Sequence, residues 1–163
     1  LRGLIDFFDL PMSQFSLGPE QQSLLQVNNA FIAPYICYEI AYPKLVRDFA
    51  IRSNIMLTVS NDAWFGDSSA PQQHLQIARM RALENGRWLI RGTNNGLTAV
   101  ISPDGKIAAD LPQFTTDALY AEIPLMQGTT PYQQLGDQPL QVLLGIMLLL
   151  SLLIHLGRKD HQR

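Results

Sequence analysis

The sequence predicts an α/β domain, its helices packed on a sheet, followed by one transmembrane helix. Two observations carry this. Short apolar, β-branched runs alternate with amphipathic stretches in the order strand, helix, strand, helix, then several strands. A run apolar on every side, Leu140 to Leu156, follows that pattern near the end of the chain.

The elements follow in chain order. Leu1 to Gly18 reads as irregular, broken by Pro11 and Gly18. Phe31 to Cys37 is a short apolar strand. Pro43 suits the first turn of a helix, and Leu45, Val46, Phe49 and Ala50 continue it at helical spacing. Ile55 to Ser60 is a second buried-type strand. Asn61 to Ser69 is a loop carrying Trp64 and Phe65. A second helix runs from about Pro71 to Asn85 and is capped by Gly86, with Leu75, Ala78 and Ala82 on one face. Strands follow at Trp88 to Thr93 and Leu97 to Ile101. Ser102-Pro103-Asp104-Gly105 turns the chain, since proline presets φ and glycine accepts a positive one. Lys106 to Asp110 should return as the hairpin partner, and Ala118 to Ile123 should form a last strand.

Composition narrows the function. Charged residues are 16% of the 163, well under the roughly 25% usual in soluble domains. The formal net charge of −2, with no cluster of Lys and Arg, excludes a nucleic-acid surface. One cysteine leaves no internal disulfide to form. No zinc or phosphate-loop pattern is present, and His74 has no companion at metal-ligand spacing, so it reads as an ordinary helix residue. The chain starts at Leu1 with no signal-peptide pattern, which reads as a cut inside a longer protein.

The run from Leu140 to Leu156 would span about 25 Å at ~1.5 Å per residue, the short end for a membrane helix. Residues from Leu135 onward could lengthen it, and a buried core helix is the competing reading. The tail from Gly157 to Arg163 is basic, whereas the preceding flank carries Asp137 and no cation. The positive-inside rule then places the tail in the cytoplasm and the α/β domain on the far side of a bacterial inner membrane. The expected division is an α/β domain over 1–134, a membrane helix over 135–157 and a cytoplasmic basic tail over 158–163.

Cys37 closes a predicted strand just before a predicted helix, in Pro34-Tyr35-Ile36-Cys37-Tyr38-Glu39-Ile40. A nucleophile on such a turn is exposed, and the amides after it can face a developing oxyanion. A helix N-terminus also favours a thiolate. A lone cysteine is, by itself, more often a small buried hydrophobe.

Five segments in order, Ile36-Cys37-Tyr38-Glu39-Ile40, Val59 to Gly66, Ala78 to Asn85, Asn94-Asn95-Gly96 and Ile101 to Gly105, resemble the nitrilase superfamily of carbon–nitrogen hydrolases. The Asp62 to Gly66 loop and the terminal apolar helix resemble its membrane branch, which N-acylates bacterial lipoproteins. The resemblance implies an α-β-β-α sandwich, of which this chain would be the C-terminal part. It also implies a Glu-Lys-Cys triad with Cys37 as nucleophile, its glutamate and lysine lying upstream of Leu1. Tyr38 and Glu39 fall on functionally important positions. Asn61, Trp64, Phe65 and Glu84 fall near the substrate. The implied partners are a membrane phospholipid as acyl donor and an apolipoprotein as acceptor, with no cofactor or metal. Membrane-tethered amide hydrolysis is the rival activity, and a non-catalytic fragment is a third reading. Each assignment has a plainer alternative. Glu39 could favour a helix start, Trp64 and Phe65 could cover the core edge, and Glu84 could pair with an arginine on its own helix. With upstream strands absent, an apolar face around Ile55 to Val59 should lie uncovered.

Overall fold

A computed structural model describes residues 18–19 and 22–160, without the side chains of 154 and 156–160. The readings for Leu1 to Pro11 and for the last three residues lie outside that range.

The described strands form one mixed sheet in sequential order: β1 (Leu25–Val27), β2 (Ala30–Ile36), β3 (Ile55–Ser60), β4 (Trp88–Thr93), β5 (Thr98–Ile101) and β6 (Ile107–Leu111). The central strands β2, β3 and β4 are parallel, and the flanking pairs are antiparallel hairpins. Each parallel step needs a crossover, and two helices supply them: α1 (Pro43–Ala50) between β2 and β3, α2 (Ala70–Asn85) between β3 and β4. Crossovers of one hand put both helices on one face. There Ala33, Tyr35, Met56 and Leu89 of the sheet meet Val46, Phe49, Leu75 and Ala78 of the helices in the buried core.

Local chemistry sets the boundaries. Tyr42 precedes Pro43 and is extended (φ −90°, ψ 101°), as a residue before proline must be, so α1 starts cleanly. Gly86 ends α2 in the left-handed conformation (φ 58°). In the Ser102–Gly105 turn the Gly105 N–H donates to the Ser102 carbonyl at 2.9 Å, Gly105 taking φ 76°.

The opposite sheet face is apolar but open. Ile36 and its register partner Val59 are 66% and 50% exposed, while Met56 points into the covered layer and Ile55, on the open face, is buried. The uncovered patch therefore comprises Ile36, Leu57 and Val59 rather than the whole of β3.

Three elements depart from the sequence reading. Leu25–Val27 forms an edge strand that its polar neighbours concealed. The loop after β3 contains a 3-10 turn, Asp62–Phe65, closed by the Asn61 side chain accepting from the Ala63 N–H at 3.1 Å. Ala118 to Ile123 is not a strand. The edge positions are held by β1 and β6, and the chain beyond β6 crosses back as a strap. Asn54 Nδ2 donates to the Met126 carbonyl at 3.0 Å and Arg87 Nη2 to the Gly128 carbonyl at 2.6 Å. Side chains therefore tie the strap down where a ladder was expected.

Beyond the strap lie a short helix, α3 (Pro131–Leu135), and a long one, α4 (Gln138–Asp160). The apolar side chains of α4 are exposed from Leu140 to Leu153, and within this chain they join no core. Among the described residues, no helix is long and apolar enough to cross a membrane.

Candidate active site

Cys37 sits where β2 ends. Its backbone takes φ 51°, a left-handed conformation costly for a residue with a Cβ, and a 3-10 turn, Cys37–Ala41, begins there. A single left-handed residue between an extended strand and a tight turn is the geometry of a nucleophile elbow, which lifts the side chain off the sheet end. The turn is closed by Glu39, whose Oε2 accepts the Ile36 N–H at 2.7 Å. Below it, the buried Tyr35 hydroxyl donates to the Val46 carbonyl at 2.9 Å, tying β2 to α1. Burial pushes the Tyr35 phenol far above its ordinary range, so it remains a neutral donor.

The half-buried Cys37 opens onto a cavity of about 630 Å³ at the C-terminal ends of the parallel strands, lined by Ile36, Val59, Ser60, Asn61, Gly92 and Asn94 among others. That is where open α/β sheets bind ligands. Asn61 and Asn94 are joined there, Asn94 Nδ2 donating to Asn61 Oδ1 at 2.7 Å. Asn94 Oδ1 accepts the Asp62 N–H at 3.1 Å.

The structure thus brings Cys37 and Asn61, just past the ends of β2 and β3, to one cavity, while Glu39 turns back to the Ile36 N–H and does not line it. Tyr38 lies on the same turn, its exposed ring 5.9 Å from Tyr42 and 6.3 Å from His74. Trp64, 85% exposed, and Phe65 stand on the neighbouring turn and cover no core. Glu84 is not brought to the cavity. It pairs with Arg81 one turn earlier on α2 at 2.9 Å, and burial raises its carboxyl above the ordinary range despite that partner.

Sequence reasoning missed the groups behind the elbow. His74 is no ordinary helix residue: it is buried, within 3.3 Å of both Asp62 Oδ1 and the Cys37 carbonyl. Asp62 and Arg91 form an ion pair at 2.6 Å with neither side chain exposed. Ser60 Oγ lies 2.6 Å from Asp62 Oδ1 and 3.3 Å from Cys37 Sγ. One signal was available. Arg91 occupies an inward register position in the apolar strand Trp88-Leu89-Ile90-Arg91, and a buried arginine requires an anionic partner.

A comparison with known families matches residues 9–130 to the family described as carbon-nitrogen hydrolase. The chain belongs to the carbon–nitrogen hydrolase family. Among curated relatives of this hydrolase-family chain, the apolipoprotein N-acyltransferase of Pseudomonas paraeruginosa is 56% identical over 163 residues, all of this chain and 32% of the relative. The apolipoprotein N-acyltransferase of Azotobacter vinelandii is 57% identical over 148 residues, 91% of this chain and 29% of the relative. The chain spans about a third of the length of these relatives. Among solved structures, a carbon-nitrogen hydrolase from Helicobacter pylori superposes with a TM-score of 0.54 at 18% identity, covering 62% of this chain and 43% of that one. That likeness establishes the hydrolase-family α/β fold.

Proposed function

We propose that this chain is the nucleophile-bearing part of a membrane enzyme that transfers an acyl group from a phospholipid to the N-terminal amine of an apolipoprotein. The observation that carries the reading is Cys37 on a left-handed elbow over an open cavity. The relatives named apolipoprotein N-acyltransferase, similar across the whole chain, supply the chemistry to test. The resemblance assigns the glutamate base and the lysine of the triad to chain upstream of Leu1. A second sheet from the same upstream chain would cover Ile36 and Val59 and complete the sandwich.

In this scheme the glutamate takes the Cys37 thiol proton and the sulfur attacks the ester carbonyl carbon. The lysine and the amides after Cys37 stabilise the tetrahedral oxyanion. Collapse breaks the ester C–O bond, the leaving oxygen takes the proton, and a lysophospholipid departs from a thioester on Cys37. The α-amine of the lipoprotein's N-terminal diacylglyceryl-cysteine then attacks the thioester carbonyl. The C–S bond breaks, the amine proton returns through the glutamate to sulfur, and the N-acylated product leaves. Tyr38, Trp64 and Phe65 offer exposed aromatic surface for lipid beside the thiol, and Asn61 offers a polar contact in the cavity. Both substrates reside in a bilayer, so α4 is read as a tether to the inner membrane with the cavity on the periplasmic side.

The full-length protein, incubated with phospholipid alone, is expected to carry an acyl mass adduct on Cys37, and Cys37→Ser should abolish N-acylation. The 163 residues by themselves should leave phospholipid untouched. Turnover by Cys37→Ser would overturn the reading. Release of free fatty acid without transfer to the amine would favour hydrolysis.

A further inference from the structure

The acyl-transfer scheme leaves the buried ions behind Cys37 without a task. Most of their polar atoms are paired with one another, Arg91 Nη1 being buried without a partner, and the partners constrain the protons. The Cys37 carbonyl can only accept, so His74 Nε2, 3.3 Å away, carries a proton. Nδ1 lies 3.2 Å from Arg91 Nη2, which can only donate, and 3.3 Å from Asp62 Oδ1, which can only accept. Arg91 Nη2 also donates to Asp62 Oδ2 at 2.6 Å. Asp62 Oδ1 takes the Ser60 hydroxyl proton at 2.6 Å. That leaves the Ser60 oxygen to accept from the Cys37 thiol at 3.3 Å. The carbonyl and the sulfur of one strained residue are thus both held from a single buried ion pair.

Resting on the reading of Cys37 as the nucleophile, we propose that His74 is a positioning residue. Its Nε2–H holds the Cys37 carbonyl and so the elbow. Nδ1 lies between Arg91 Nη2 at 3.2 Å and Asp62 Oδ1 at 3.3 Å, and these two contacts fix the ring from the other side. The turn after β2 presents Cys37 and Tyr38, the turn after β3 presents Asp62, and β4 presents Arg91. Glu39 directs its carboxylate back to the Ile36 N–H. Burial first, then Arg91, holds the His74 imidazole below its ordinary value of 6.5, with Asp62 opposing. The neutral form is therefore the working form at neutral pH.

The test uses the full-length enzyme in membranes of defined phospholipid, with two variants and two readouts. One readout is N-acylation, resolved into kcat and KM. The other is the rate of Cys37 alkylation by iodoacetamide, which needs no acyl transfer. His74→Ala should lower kcat on the order of 10- to 100-fold, the scale of a misplaced reacting group, with KM within about twofold. His74→Gln keeps an N–H able to reach the carbonyl but does not titrate. It should restore most of kcat and of the alkylation rate. A His74→Ala enzyme with wild-type kcat, or a folded His74→Gln enzyme as impaired as the alanine variant, would overturn the proposal. If neither variant folds, His74 is structural and the proposal fails. Wild-type enzyme that alkylates at Cys37 but never transfers acyl groups would instead defeat the acyltransferase reading, and the alkylation rates would still decide the role of His74.

Discussion

Gly96 lies so close to the carboxylate of Asp62 that a methyl group has no room there. A Cβ built at this position would stand 2.8 Å from both Cβ and Cγ of Asp62. The collision falls on the residue that holds Arg91 and Ser60, and an ion pair with no exposure has no solvent into which to retreat. Gly96→Ala is therefore expected to cost about 1–3 kcal/mol, the range for forcing extra volume into a packed site. It should also slow Cys37 alkylation by disturbing the Ser60 contact. Urea denaturation of the two proteins, with alkylation rates beside it, checks both parts. Unchanged stability would show that the loop simply moves aside. At this scale the sequence was legible where chemistry is contiguous. Cys37 and Asn61 stand in recognisable segments, and both line the cavity. The cluster of Asp62, His74 and Arg91 was not legible. Its members are 12, 17 and 29 residues apart, and only parallel pairing of β3 with β4, with α2 folded over them, brings them together.

At the scale of elements, proline, glycine and periodicity located the helices and the parallel strands, because each such signal acts within one turn or one strand. Ile55–Ser60 and Trp88–Thr93 match the sequence reading end to end. Ala118 to Ile123 failed because it pairs with neither outer strand, β1 nor β6, and β propensity does not record whether a segment reaches an edge. The strap is instead anchored by single side chains, Thr130 most of all. Its hydroxyl accepts the Gln133 N–H at 3.0 Å as the N-cap of α3 and donates to the Glu84 carbonyl at 2.6 Å at the end of α2. Thr130→Val keeps the shape and removes both bonds. The loss should be about 1–2 kcal/mol, a cap plus one buried acceptor left without its donor. Thermal unfolding measures it, and Thr130→Ser should recover most of the difference.

At the scale of the whole molecule, the apolar surface is unevenly distributed. One sheet face is buried under α1 and α2, while α4 carries Leu140, Val142, Leu143, Leu144, Ile146 and Met147 exposed around its circumference. No polar side remains to face water, so packing this helix on the domain would bury only one stripe and leave the rest in contact with solvent. On the acyltransferase reading proposed above α4 is a membrane tether, although the described helix is not by itself long and apolar enough to cross a bilayer. The apolar run continues in sequence through Ile154 and Leu156, and Arg158, Lys159 and Arg163 follow it. Basic residues are retained on the cytoplasmic side of a membrane, so the end of the chain should face the cytoplasm and Cys37 the opposite compartment. The expected outcome is that alkaline phosphatase fused after Arg163 is inactive in cells, a fluorescent protein fused there is bright, and Cys37 is labelled by a membrane-impermeant maleimide from the periplasmic side. Replacing Arg158, Lys159 and Arg163 with glutamine should weaken that bias and raise the phosphatase signal. An active phosphatase on the unaltered tail would reverse the orientation and leave the thiol in the cytoplasm, contrary to the function proposed above.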